Sequence, residues 1–243
     1  MKTVMINGSP KKKLSVSAYL ISIVRVLIRG TVVVEQIHNQ GDHKRVLEAV
    51  KDADTVVFAM PLYVDGIPSH VLAFMQEMEA FCKENNHSLK VYVVSNGGFI
   101  EGCQSRPLML VMENFCRRSN FKWCGGIGIG GGVMLNVLRI LVFVYLGIFA
   151  LNVVYTGAET GNWLATEVLV AFLQQIGIIV LLSLGVFFYC IRMGIAINKG
   201  ITCGVKFTRI LLPAFIFILI ADIFFTIVSV FKGGLFRGWL SKK

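Results

Sequence analysis

None of the six cysteines, Cys82, Cys103, Cys116, Cys124, Cys190 and Cys203, belongs to a CxxC pair. That spacing excludes a zinc knuckle, an iron-sulfur cluster and a disulfide framework, so no metal site is expected and the thiols read as reduced and cytosol-facing. The four histidines, His38, His43, His70 and His87, all precede residue 88. No pair of them can therefore clasp a b-type haem inside the apolar second half, and each is expected at the surface or at a helix cap. No Ser-His-Asp order and no paired carboxylates suggest hydrolysis. No basic stripe interleaved with aromatics appears, which excludes nucleic acid as a partner. The opening MKTVMINGSP lacks the apolar run of a signal peptide, so the first half is expected in the cytoplasm. Internal repeats and low-complexity segments are absent too.

What is present falls into two materials. Residues 1–131 carry 15 Lys+Arg and 11 Asp+Glu, whereas residues 132–243 carry 9 and 3. The overall hydrophobic share of 55% thus averages an ordinary soluble mixture with something far more apolar, and the net charge of +10 lies mainly in the apolar half. Basic residues flanking apolar runs suit a lipid bilayer. The division reads as one domain over 1–132 and a membrane domain over 133–243.

The first half alternates β-rich runs with amphipathic stretches, the pattern of βαβ units. Strands are predicted at Thr3–Ile6, Thr31–Gln36, Thr55–Ala59, Lys90–Ser95 and Trp123–Ile129, with helices at Ser17–Arg29, His43–Lys51, Pro68–Asn85 and Ser105–Asn120. Cores such as TVVVEQ and TVVFA are nearly continuous β-branched runs, as expected of strands covered on both faces. The expected fold is α/β, a doubly wound five-stranded parallel sheet whose ligands bind beyond the carboxyl ends of the strands. GGIGIGGG, Gly125–Gly132, reads as a short joint to the second half.

Three spans are predicted there, near 133–155, 163–191 and 207–231, each long enough to cross roughly 30 Å of hydrocarbon. For the first, a buried helix of the sheet domain is the alternative. The stretch 156–162 has no Lys or Arg, while Arg192, Lys199, Lys206 and Arg209 follow the second span, which places the first connection outside and the second inside. The tail charges Lys232, Arg237, Lys242 and Lys243 fit three spans poorly. Asp222, Thr226 and Ser229, spaced by four and three, share one helix face. They read either as hydrogen-bonding glue between helices or as a membrane polar path.

In NGSPKKKLSVS, Asn7–Ser17, a strand ends in Gly-Ser-Pro before a helix begins near Ser15, aiming backbone N–H groups and a positive helix end at one spot. Ser9, Ser15 and Ser17 add hydroxyls there, and Lys11, Lys12 and Lys13 add charge. Two more loops lie at the same sheet edge: MPLYVDGIPS, Met60–Ser69, and SNGGFIEG, Ser95–Gly102. An anion turn flanked by glycine-rich, backbone-rich loops fits a phosphate joined to a planar ring.

With NGSP, spaced serines, PLYVD-x-IPS, an N-x-GF-x-EG loop and GGIGIGGG, the stretch Met1–Gly132 resembles the flavodoxin-like NAD(P)H-dependent FMN reductases. The resemblance implies that Ser9, Lys11, Ser15 and Ser17 hold the FMN phosphate. It implies that Pro61, Leu62, Tyr63, Val64, Asn96, Gly97 and Gly98 embrace the ring, with Glu101 a looser match. Lys11 stands where the family has arginine, and Leu14 and Val16 replace polar neighbours of the serines.

The expected function is that of a multi-pass cell-membrane flavoprotein oxidoreductase with a cytoplasmic amino-terminal domain. It would pass electrons from NADH or NADPH through FMN to an acceptor at or in the membrane, such as a quinone. Partners would be the bilayer, the nicotinamide nucleotide and further copies of the chain, as a dimer or tetramer. Two alternatives stand beside it: a homo-oligomeric channel or transporter regulated by a nucleotide- or redox-sensing domain, and a scaffold that has lost its flavin.

Overall fold

The computed structural model describes residues 1–11 and 15–231; Lys12, Lys13, Leu14 and the tail charges Lys232, Arg237, Lys242 and Lys243 lie outside the described residues. Strands β1 (Lys2–Asn7), β2 (Thr31–Gln36), β3 (Thr55–Pro61), β4 (Lys90–Asn96) and β5 (Lys122–Gly130) alternate with helices α1 (Val16–Leu27), α2 (His43–Val50), α3 (Ser69–Glu84) and α4 (Arg106–Arg118). All strands pair in parallel. Their order, β2-β1-β3-β4-β5, is that of the flavodoxin-like doubly wound sheet, with its switch point between β1 and β3.

The sheet has a sixth strand, which corrects the expectation of five. β6 (Gly204–Arg209) runs parallel to β5, from Gly125 opposite Gly204 to Gly130 opposite Arg209. Its sequence, GVKFTR, alternates apolar and polar residues as a half-covered edge strand should. The stretch expected as an inside connection, 192–209, is therefore part of the sheet unit. GGIGIGGG is likewise no joint: most of it is β5 itself.

Between β5 and β6 lie two long helices, α5 (Gly132–Thr160) and α6 (Thr166–Lys199). Each ends on a glycine in the left-handed region, Gly161 and Gly200, which closes a helix without strain. Both are long and apolar enough to cross a membrane. They stack Phe149 on Phe172 at 4.5 Å, so the pair forms an antiparallel hairpin. α5 is buried near its start, at Met134, Leu135 and Leu138, and again at Gly157 beside Trp163; between these its surface is largely exposed and apolar.

α6 divides differently. Its last four turns return to the sheet beside α1, where Cys190, Met193, Ala196 and Ile197 are buried. Asn198 accepts from the Arg29 N–H at 2.8 Å and donates to the Leu27 carbonyl at 2.8 Å, closing the end of α1. The Tyr92 hydroxyl donates to the Ile201 carbonyl at 2.7 Å. The helix that covers this side of the sheet is thus the end of α6, and the hairpin is an extension of the β5-to-β6 crossover. Opposite lies the main core, built from α2, α3 and α4 on Val4, Ile6, Val56, Phe58, Val91 and Val93.

Two compact units emerge, Met1–Ile210 and one beginning at Leu211. The second holds α7 (Ala214–Phe231). A third span over 207–231 is not a single helix, because 207–209 complete β6 and Pro213 precedes the first helical residue. Among the described residues two helices, not three, have the length and composition of membrane spans.

Candidate functional site

Three loops meet beyond the carboxyl ends of β1, β3 and β4. In the first, the Asn7 carboxamide oxygen accepts the Ser9 N–H at 3.0 Å and Ser9 Oγ accepts the Lys11 N–H at 3.4 Å. Ser15 caps α1 by accepting the Ala18 N–H at 3.1 Å. With Tyr19 N–H on the Ser15 carbonyl, the Val16 and Ser17 N–H groups are left with no intrahelical partner and point beyond the helix start. Ser9, Ser15 and Ser17 are buried, while Lys11 is exposed. Each serine hydroxyl acts as an acceptor within the protein, so its proton remains to be donated.

Asn96 ties the loops together. Its amide nitrogen donates to Ser17 Oγ at 3.0 Å and to the Met60 carbonyl at 3.2 Å, joining the end of β4 to α1 and to β3. Ser17, only 1% exposed, thus faces Asn96 inside the protein. The Asn96 carbonyl also accepts the Leu62 N–H at 2.8 Å. From there the second loop makes a tight turn: Tyr63 and Gly66 exchange both backbone bonds, and Val64 and Asp65 have φ of 47° and 57°. Both central residues are left-handed, the geometry of a type I′ turn, which costs a β-branched valine on the order of 1 kcal/mol or more. The turn holds Tyr63 and Val64 out to solvent, above half-buried Pro61 and buried Leu62.

In the third loop Gly97 is buried, whereas Gly98 and Phe99 are exposed. Its return path is set by β5. Gly131 N–H reaches the Phe99 carbonyl at 2.6 Å and Gly132 N–H reaches the Gly97 carbonyl at 2.8 Å, so the first residue of α5 is bonded to this loop. Glu101 is ion-paired with Arg209 at the end of β6. Arg139, two turns into α5, lies 5.4 Å over the Tyr19 ring of α1. Asp222, Thr226 and Ser229 are all exposed on α7, in the second unit.

Three side chains brace the first loop, and of these only Asn7, which opens the NGSP stretch, belongs to a motif. Asn7 makes the turn just described; Gln36, at the end of β2, donates to the Ser9 and Lys11 carbonyls at 3.2 and 3.0 Å. His70, opening α3, bonds the Gly8 carbonyl through Nε2 at 3.0 Å. Their signal is positional, each standing at a carboxyl strand end or a helix start. His70 is thus not merely a cap, and neither is His43, which is buried against Glu77 at 2.9 Å and edge-on to Phe74.

Burial lowers the His70 pKa, partly offset by its bond to Gly8. A lowered native value means that the neutral ring stabilises the fold above the ordinary imidazole value near 6.5, and that this contribution is lost as pH falls through the native value. A proton titration followed by NMR is expected to show His70 below 6.5, and His70→Gln, which keeps a donor, should flatten the acid side of the stability profile.

Burial suppresses thiol reactivity at three cysteines of the sheet unit. Burial pushes Cys82 up to about 11 and Cys116 up to about 12, and raises Cys124. Cys103 is exposed. Alkylation of the folded protein at neutral pH should mark Cys103 and leave Cys82, Cys116 and Cys124 intact, as peptide mass mapping will show.

No family model and no characterised protein matches the chain. Solved structures resemble parts of it. The Trp repressor binding protein from Bacillus subtilis is 16% identical over 53% of this chain and 84% of its own, with a TM-score of 0.44. The NAD(P)H:quinone oxidoreductase from Methanothermobacter marburgensis is 15% identical over 57% of this chain and 92% of its own, at 0.44. An FMN-dependent NADH-azoreductase from Bacillus anthracis, solved with FMN, is 15% identical over 54% and 88%, at 0.35.

Proposed function

We propose that the chain is a membrane-anchored flavoprotein oxidoreductase that takes electrons from NADH or NADPH and passes them through FMN to an acceptor at or in the membrane, a quinone being the natural class. The observation that carries this reading is the bond between the third loop and α5. The loop that would embrace the ring is held at 2.8 Å by the first residue of the helix that leaves the sheet, so the redox site stands at the foot of the hairpin.

The residues present fit FMN. The first loop offers donors: the Val16 and Ser17 N–H groups, the protons of Ser9 and Ser15, and the charge of Lys11. That set suits a phosphate dianion. Ser17 acts through Asn96, holding the phosphate loop and ring loop in register. Tyr63, Val64 and Phe99 offer exposed apolar surface that a planar ring would cover, Pro61 and Leu62 form the floor, and Gly97 and Gly98 let a plane approach the backbone. When bound, FMN supplies the hydride-accepting ring; the protein supplies orientation and exclusion of water.

The hairpin supplies the anchor. It extends a crossover whose two ends both belong to the sheet unit, so it enters and leaves the bilayer on one side, with the sheet in the cytoplasm. The segment beyond Leu138 in α5 and before Gly185 in α6 comprises about twenty residues on each side, close to the roughly 30 Å of a hydrocarbon core. The composition boundary at 132 then marks the start of the helix that leads into the bilayer, and the lipid-facing part of the hairpin runs from beyond Leu138 in α5 to Gly185 in α6.

The exposed polar stripe of α7, Asp222, Thr226 and Ser229, favours a second reading, in which several copies enclose a membrane polar path regulated by the sheet domain. The two separate in one experiment. Protein purified in mild detergent should show the spectrum of oxidised flavin, and NADH or NADPH should bleach it without oxygen. Colourless protein that ignores added FMN in calorimetry overturns the flavoprotein reading; bleaching by dithionite alone transfers support to the sensor.

A further inference from the structure

α6 is apolar on two opposite sides. One stripe, Ile179, Ser183, Val186, Cys190, Met193 and Ile197, advances by four and three residues and is buried against the rest of the first unit. A second stripe, Gly177, Leu181, Leu184, Phe188, Ile191 and Ile195, advances in the same way and is exposed. Two residues of offset turn a helix by about 200°, so the second stripe faces away from the first. A surface helix carries charged and polar residues there, whereas a helix apolar on both sides is covered on both.

Lipid covers only part of that outer stripe. The helix has 34 residues, about 51 Å, against roughly 30 Å of hydrocarbon. Gly185 lies beside Thr208 and Arg209 at the end of β6, so the helix beyond it runs alongside the sheet. Phe188, Ile191 and Ile195 stand in that aqueous part, 52%, 46% and 47% exposed.

We propose that this stripe is the seam of a parallel, two-fold homodimer, α6 of one copy lying along α6 of a second from the hydrocarbon into the aqueous layer. The proposal rests on the membrane reading of the hairpin, because insertion from one side makes the two helices parallel. The 3.5-residue period is that of a coiled coil, with Leu181, Phe188 and Ile195 at one seam position and Leu184 and Ile191 at the other. Lipid contact imposes no such period. The flanking positions carry one charge, Arg192, whose guanidinium lies 5.8 Å over its own Phe188 ring. In the parallel register the position opposite it is that of uncharged Phe187, so no like charges meet. Half of each of these side chains amounts to roughly 500 Å² per copy and about 1,000 Å² in all, the threshold of a specific interface.

The test is the mass of the full-length protein in mild detergent and in lipid nanodiscs, by light scattering. The wild type is expected to hold two chains per particle. Ile191→Lys combined with Ile195→Lys, both outside the hydrocarbon, is expected to hold one, with an unchanged far-UV circular dichroism spectrum. A single-chain wild type in nanodiscs overturns the proposal, and so does a double variant that still pairs. If the double variant does not fold, Phe188→Cys and Ile195→Cys replace it. The seam predicts disulfide-linked pairs at both, above the wild-type background and above Val26→Cys on α1; their absence overturns it. Quenching of a probe on Ile195→Cys by nitroxide-labelled lipid assigns the stripe to lipid and overturns it as well. The membrane reading fails separately, if carbonate washing releases the chain from membranes.

Discussion

Replacing Gly130 by alanine is expected to release bound FMN and to lower the unfolding free energy by about 3 kcal/mol, at the upper end for overpacking of a filled site. An added methyl group would lie 2.6 Å from the Ile100 carbonyl carbon and 2.7 Å from that of Glu101. Both are backbone atoms, so no rotamer change relieves the clash; the third loop must lift from the sheet. Lifting it strains the bonds from Gly131 to Phe99 and from Gly132 to Gly97 that fix Gly98 and Phe99. Gly126, Gly128 and Gly130 share one face of β5, which is how a loop and the 3₁₀ turn Gly102–Ser105 come to lie directly on a strand. Gly98→Ala is the control. Nothing stands within 4 Å of its added carbon, so it should unfold like the wild type and weaken FMN alone. Urea unfolding and FMN calorimetry on the two variants check the pair; a Gly130→Ala protein of wild-type stability would show that the close approach does not hold the loop.

Asn96→Ala should weaken FMN about 100-fold. The substitution removes two donors from a site where Asn96 is 7% exposed, leaving the Met60 carbonyl and the Ser17 hydroxyl without them. Each buried group so abandoned costs about 1–3 kcal/mol, and 1.4 kcal/mol is tenfold in affinity. The loss falls on ligand binding because Asn96 aligns the serine loop and the Tyr63 turn, which move apart when it is cut. Asn96→Asp should be worse than alanine, since a carboxylate would then face a carbonyl. Titration of apoprotein with FMN measures both; an affinity unchanged in Asn96→Ala would remove Asn96 from the site's framework.

Much of this was legible in the sequence because its signals are local. The β-branched run Thr55–Val57 marks a strand covered on both faces, and the spacing of Leu20, Ile21 and Val24 marks the buried side of α1; the similar run Thr31–Val34 also forms a strand, but at the sheet edge, where none of its residues is buried. β6 was not legible. Its neighbour in the sheet is β5, more than seventy residues earlier, and the stretch between is dominated by the hydropathy of the hairpin. The same hydropathy hid the change of surroundings within α6, where one continuous apolar helix is largely exposed at its start and covers the sheet at its end. The glycines of β5 misled in the opposite sense. Read locally, Gly125–Gly132 is a joint; only the atoms that press on Gly128 and Gly130 show why no side chain is tolerated. Gln36 and His70 escaped notice because each acts on backbone carbonyls of a loop distant in sequence, a relation that no local pattern encodes.

The position of β6 also fixes an order of events during synthesis. A ribosome that has released β5 has made five strands, but the helix covering Tyr92 and the strand that closes the β5 edge are still unmade or inside the exit tunnel. Both arrive only after α5 and the first half of α6 have been made, so the sheet cannot close before the hairpin has emerged. Until then β5 presents an open row of N–H and C=O groups, the kind of edge that invites wrong pairing. On the membrane reading proposed above, insertion of the hairpin thus comes before closure of the sheet.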